Sequence, residues 1–271
     1  MLRTEDLVRT LKKNKYVIYG AGYVADNFYK ALENRDLLGK FEGFITTKGS
    51  SEAKYGWSVR AIDECNLNDE LVCIAVHESI TGEIETILKQ SGIENYTWIY
   101  PNLYELLAGN KICTENVPIK SVLSANKNNL MIAIRYAAIE QFYGERADGY
   151  ELYLAAMKLH CGIDTANKRL DSFKELIEIV EKKGYKEINP ISLLENYELL
   201  DGVHRLAIAI YWGENTIDAD IYKSLNGGKI NIHEANGRAD ISELSKKLEE
   251  GILSPLKEIN KRIMEKYGVK C

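Results

Sequence analysis

Tyr197-Glu-Leu-Leu-Asp-Gly-Val-His-Arg-Leu-Ala-Ile-Ala-Ile-Tyr-Trp-Gly213 is the stretch on which the reading of this chain turns. A short apolar run ends at Leu200, Asp201-Gly202 breaks it, and an apolar segment from Leu206 to Trp212 follows, closed by Gly213. Strand, tight turn, buried helix and glycine stop is the economical interpretation. Asp201 suits an N-cap, since its carboxylate can accept from the free amides of a first turn. Gly202 lets the backbone come close to whatever sits beside it. The amides of Val203, His204 and Arg205 would then form an anion cradle at the positive end of the helix dipole. His204 and Arg205 add donors at the same spot, and the guanidinium fork matches a phosphate. The plainer alternative is a surface helix pair between Asp201 and Arg205, four residues apart, contributing roughly 0.2–0.5 kcal/mol.

The neighbourhood extends the pattern. From Arg169 the chain runs through an amphipathic segment ending Lys182-Lys183-Gly184, then Ile188-Asn-Pro-Ile-Ser-Leu-Leu194, the stretch above, and Thr216-Ile-Asp-Ala-Asp-Ile-Tyr222. This order of helix, glycine, Pro-Ile strand, strand, Asp-Gly-x-His-Arg-Leu-Ala helix and final strand resembles the ParB/sulfiredoxin superfamily. The resemblance covers about a fifth of the chain. It implies a nucleotide-phosphate site at Asp201 to Arg205. Val203 stands where sulfiredoxins carry their reactive cysteine, so sulfinic-acid reduction is not expected. Chromosome-partition ParB proteins have Gly-Glu-Arg-Arg at the turn, followed by a helix-turn-helix DNA domain; here the turn is Gly202-Val-His-Arg205, and about fifty residues follow Tyr222. The turn is most similar to the branch that includes ParB-like kinases of free serine. That branch implies phosphoryl transfer by Asp201, His204 and Arg205, with ATP or ADP and Mg2+ as cofactors and Asp201 holding the metal or accepting a proton. Arg169 is a candidate second phosphate contact.

The chain has 271 residues, room for two domains, with a formal net charge of −5 and no extended basic run. A general nucleic-acid surface needs a clustered basic face, so DNA is not an expected partner. Nothing at Met1-Leu-Arg-Thr-Glu-Asp-Leu7 reads as a signal core, and no window approaches a membrane span. The five cysteines are scattered without metal-type spacing, which fits free thiols in a reducing cytoplasm.

In the N-terminal half, Lys15-Tyr-Val-Ile-Tyr-Gly-Ala-Gly-Tyr-Val-Ala25 predicts strand, glycine-rich turn and helix, the opening of a dinucleotide-type unit. Gly20 makes the turn, Gly22 admits a phosphate, and Ala25 allows close helix–strand packing. The next strand, Phe41 to Ile45, ends in Thr46-Thr47-Lys48 and lacks the acid that would hold a ribose, which argues against NAD. Further strands are predicted at Trp57–Ile62, Glu70–Val76 and Tyr96–Tyr100, with a helix between Gly82 and Gln90. His77 leaves a strand at its carboxyl end, where such sheets place ligands; an inert loop histidine is the other possibility. This half resembles the Rossmann-like N-terminal domains of bacterial sugar acyltransferases and related surface-glycan enzymes.

Pro101 and Gly109–Pro118 read as a linker. The expected fold class is therefore α/β, with a Rossmann-like parallel-sheet domain over 1–110 and an α+β ParB/sulfiredoxin-like domain with helical additions over 120–271. Helices are predicted at Asn129–Phe142 and Tyr150–His160, a tyrosine-rich pair that either packs on the next domain or stacks a base. Asp171 and Asp240 are candidate caps, Ser254-Pro255 a helix start, and Asn226-Gly-Gly228 a turn. Two functions follow: a nucleotide-dependent kinase of a small metabolite, in the resembled setting of surface-glycan synthesis, or a non-catalytic protein that binds nucleotides or nucleotide-sugars. Nucleotide and small-molecule substrate are the expected partners, and the oligomeric state is left open.

Overall fold

The structure is a computed structural model that describes residues 4–67, 69–184, 189–224 and 246–270. The chain is mixed α/β and divides into two compact units, the first reaching Gly109 and the second beginning at Asn110.

The first unit contains α1 (Thr4–Lys13), β1 (Tyr16–Tyr19), α2 (Tyr23–Asn34), β2 (Phe41–Thr46), β3 (Ser50–Lys54), β4 (Trp57–Ala61), β5 (Leu71–Ile74), α3 (Glu78–Gln90), β6 (Tyr96–Trp98) and α4 (Leu103–Leu107). Its six strands lie in the order β3-β4-β2-β1-β5-β6. β1 is parallel to both neighbours, and all four of its residues are buried. Such a strand must be apolar on both faces, because helices cover both. Val17 and Tyr19 meet Ile84 and Leu88 of α3, while Tyr16, on the alternate face, adjoins Phe41, whose ring also meets Tyr29 of α2. The sheet is parallel-rich but not wholly parallel, since β3 runs antiparallel to β4. Ser50-Ser-Glu-Ala-Lys54 contains no large apolar residue, so pattern alone gives no sign of this exposed edge strand. Tyr55 and Gly56, both at positive φ, make the two-residue turn that closes the hairpin.

The second unit contains β7 (Lys111–Pro118), α5 (Ile119–Ala125), α6 (Met131–Phe142), α7 (Gly149–Cys161), α8 (Ile163–Lys183), β8 (Ile191–Leu194), β9 (Leu199–Asp201), α9 (Val203–Tyr211), β10 (Thr216–Tyr222) and α10 (Glu250–Lys266). The strand order is β7-β10-β8-β9, with only β10 and β8 parallel. α6 is buried on nearly every side, which explains Ile132-Ala-Ile-Arg-Tyr-Ala-Ala-Ile139. Two charged residues, Arg135 and Glu140, are carried inside with it. Glu140 accepts from Arg146 at 2.9 Å and from Arg262 at 2.7 Å, so its charge is compensated. α7 begins hard against α6: a Cβ at Gly149 would lie 2.0 Å from the Ala137 carbonyl oxygen.

Several expectations are corrected. The segment expected as a linker contains β7, which pairs along its length with β10; its run of polar residues reflects an exposed edge, not a tether. Asp171 and Arg169 lie inside α8, which starts earlier, after the positive-φ Gly162. Pro255 lies inside α10 and not at its first turn, because the helix begins at Glu250. The turn expected at Asn226–Gly228 and the cap at Asp240 fall outside the described residues.

Candidate functional site

β9 delivers Asp201, and α9 starts two residues later. Gly202 between them has φ +96°, and a Cβ there would sit 2.6 Å from Ile191 Cγ2 and 3.0 Å from an Arg205 terminal nitrogen. Glycine is needed because β8 and the Arg205 side chain close over it. The close neighbour expected of Gly202 is thus the protein itself. Asp201 does not cap α9; the left-handed residue intervenes, and its carboxylate instead accepts from Arg205 at 3.0 Å. The Arg205 guanidinium also donates to the Asn189 carbonyl at 2.7 Å and to the Pro190 carbonyl. It clamps the approach to β8 onto the turn. Helix geometry leaves the first amides of α9, at Val203, His204 and Arg205, without an acceptor inside the helix, and no side chain caps them.

His204 is half-buried in a cluster that no motif in the sequence announces. Arg135 Nε of α6 lies 3.4 Å from His204 Nε2, and the Tyr153 hydroxyl of α7 lies at the same 3.4 Å. The Phe173 ring of α8 stands 4.5 Å from the imidazole, and Arg135 lies over the Tyr153 ring at 5.3 Å. Arg135 Nη1 donates to Met131 Sδ at 3.2 Å. Burial, then the positive charges of Arg135, Arg169 and Arg205, hold His204 well below the ordinary histidine range. A second positive charge about 4 Å from a guanidinium costs roughly 4 kcal/mol at an effective dielectric of 20. The imidazole is therefore neutral at physiological pH. Arg135 is the guanidinium that meets the ring, at the N-terminal end of α9, while the Arg205 guanidinium is held by Asp201 and the Asn189 and Pro190 carbonyls.

Of the residues singled out from the sequence, Asp201, Gly202, Val203, His204, Arg205 and Arg169 belong to the second unit. Arg135 went unforeseen, and Tyr153 is expected from the sequence only as part of a tyrosine-rich helical pair that packs or stacks a base, not as a partner of His204. The signal available was a single arginine inside the otherwise apolar run Met131 to Ile139, a position that demands a partner.

Gly20, Gly22, Ala25 and His77 lie in the first unit. Gly20 has φ +125°, and a Cβ would approach the Ala75 carbonyl oxygen to 2.7 Å, so the turn is pressed against the end of β5. Gly22 precedes α2 without a side-chain cap, and a Cβ there would meet nothing within 4 Å. Ala25 is fully buried. Lys54 of the β3–β4 hairpin donates to the Ala21 carbonyl at 2.6 Å and pairs with Asp26 at 2.8 Å. The Tyr55 hydroxyl, pushed up to about 12 by burial and by Asp26, donates to the same carboxylate. The hairpin thus straps the glycine turn. His77 is half-buried, with its ring edge against Tyr100 at 5.1 Å, and Lys48 is an exposed loop residue.

Among the described residues, no three or more histidine, cysteine, aspartate or glutamate side chains gather as a metal site. Asp201 on its own fits only a cation that arrives with its own phosphate ligands, as Mg2+ on a nucleotide does. No described helix is long and apolar enough to cross a membrane. Comparison with protein-family models, with curated proteins and with solved structures returned no match.

Proposed function

We propose that the second unit binds the phosphate groups of a nucleotide at the start of α9 and transfers a phosphoryl group to a small hydroxyl- or amine-bearing metabolite, such as an amino acid or amino-sugar. The observation that carries this reading is buried Arg135 set 3.4 Å from His204 Nε2 beside first-turn amides of α9 that no side chain caps. Phosphoryl transfer depends mainly on positioning and charge neutralisation, and this corner supplies both. The bond from the terminal phosphorus to its bridging oxygen breaks, a bond from phosphorus to the acceptor atom forms, and the acceptor proton leaves to a base. Asp201, exposed at the rim, is the carboxylate placed to take that proton or to hold Mg2+, which when bound neutralises phosphate charge. A ParB/sulfiredoxin-like second domain, a Rossmann-like first domain and a role in surface-glycan synthesis belong to the same proposal, supported by the resemblances in sequence.

A specific observation favours a second reading, in which the nucleotide or nucleotide-sugar is held without turnover: the Asp201 carboxylate is already engaged by Arg205. Incubation with ATP, ADP or CTP, Mg2+ and a pool of amino acids and amino-sugars, read by mass spectrometry, separates the two. Phosphorylated product supports transfer, and nucleotide binding without product supports holding. Absence of binding for all three nucleotides overturns both.

A further inference from the structure

The partners of His204 decide what that side chain has to offer. Arg135 is 2 % exposed, and Tyr153 is fully buried. A guanidinium has donors and no acceptor, so where Arg135 Nε faces His204 Nε2, that ring nitrogen must carry the lone pair. The Tyr153 hydroxyl, at the same distance from the same nitrogen, can donate to it as well. The proton of the neutral ring then resides on Nδ1, the reverse of the form free histidine prefers in water.

We infer that Arg135, with Tyr153 beside it, is a positioning residue that locks His204 in its Nδ1–H form, so that His204 serves the oxyanion ligand as a neutral hydrogen-bond donor and not as a base or nucleophile. The inference rests on the phosphate reading for the identity of the ligand but not for the state of the ring. Nε2, the nitrogen that a phosphohistidine or a general base would use, is covered by two buried side chains from α6 and α7. The ligand class that follows is a group rich in acceptors with no proton to give, a phosphate or diphosphate. The depressed basicity of His204 agrees with this role.

The test is long-range nitrogen–proton correlation NMR on full-length protein labelled at its four histidines, with His204→Gln to assign the signal. His204 should show a protonated Nδ1 and an unprotonated Nε2 near neutral pH, and the Nδ1–H proton should move downfield when pyrophosphate is added. Arg135→Met should shift the ring toward the Nε2–H form and weaken pyrophosphate binding about tenfold. Arg135→Lys, which retains a donor, should recover part of both. An Nε2–H ring in the wild type overturns the inference without recourse to any variant. Pyrophosphate binding that leaves Nδ1–H unmoved, or a folded Arg135→Met protein with an unchanged ring, overturns it while the phosphate reading stands. Wild-type protein that binds neither pyrophosphate nor ATP overturns the phosphate reading, and the donor role with it.

Discussion

Replacing Gly202 with alanine tests the turn on which the candidate site depends. The backbone there is left-handed at φ +96°, and the added Cβ would lie 2.6 Å and 2.8 Å from Ile191 Cγ2 and Cβ. Left-handed geometry costs a residue bearing a Cβ roughly 1–2 kcal/mol. Forcing a methyl group into occupied space adds about 1–3 kcal/mol. Gly202→Ala should therefore destabilise the second unit by about 2–5 kcal/mol. Trp57 and Trp98 lie in the first unit and Trp212 in the second, so a Trp57→Phe, Trp98→Phe background makes Trp212 fluorescence report the second unit alone. Urea unfolding in that background gives the loss from the midpoint and slope. Ile191→Ala removes the nearer of the two clashing atoms, so the double variant should lose about 1 kcal/mol less than the sum of the single changes. A loss below about 0.5 kcal/mol for Gly202→Ala, or strict additivity with Ile191→Ala, would refute the steric account.

Glu140→Gln keeps the shape of the buried side chain but removes the charge that meets Arg146 and Arg262, and should cost roughly 2 kcal/mol in urea unfolding; a change within error would mean the three groups are not coupled. His204 is held below its ordinary value, so unfolding at acid pH takes up a proton that the native ring refuses. Its contribution is complete above about pH 6.5 and declines as pH falls from there through the lower folded value, by at most about 1.4 kcal/mol per pH unit. His204→Gln should flatten that part of the stability–pH curve, and an unchanged slope would show that the ring titrates freely. In the first unit, Gly20→Ala should lower the melting temperature through its contact with the Ala75 carbonyl, whereas Gly22→Val should leave melting unchanged yet abolish any nucleotide binding at that turn; retained binding in Gly22→Val would place the ligand elsewhere.

Much of the architecture was legible because it is written in period and punctuation. Apolar runs marked β1, β2, β5, β8 and α9, and glycine marked the turns at Gly20 and Gly202. What escaped was structure that is not apolar. β3 and β7 are exposed edge strands, whose residues are fixed by pairing and not by burial, so polar composition made them look like loops. At the site, the short motif pointed to the turn at Asp201 but not to what surrounds it. Cap chemistry assigned Asp201 to the amides, yet a left-handed Gly202 turns it toward Arg205. Arg135 lies 69 residues before His204, and only the packing of α6 against α9 brings them together. Such a pairing is a property of the tertiary fold and leaves no local periodicity to read.

The ladder between β7 and β10 has a consequence for the order in which the second unit is made. Thr114 meets Asp220 and Asn116 meets Asp218, contacts 106 and 102 residues apart in sequence. During synthesis β7 emerges from the ribosome first, and its partner follows only after five helices and two further strands. Helices form within microseconds, while translation adds about 5–20 residues per second, so α5 to α8 have seconds to associate before any second-unit strand can pair. The β7–β10 ladder can therefore close only after α5 to α9 have been made, and α10, which also packs on α6, follows it. Arg135 is thus synthesised well before His204, and the two can meet only once α9 packs against α6.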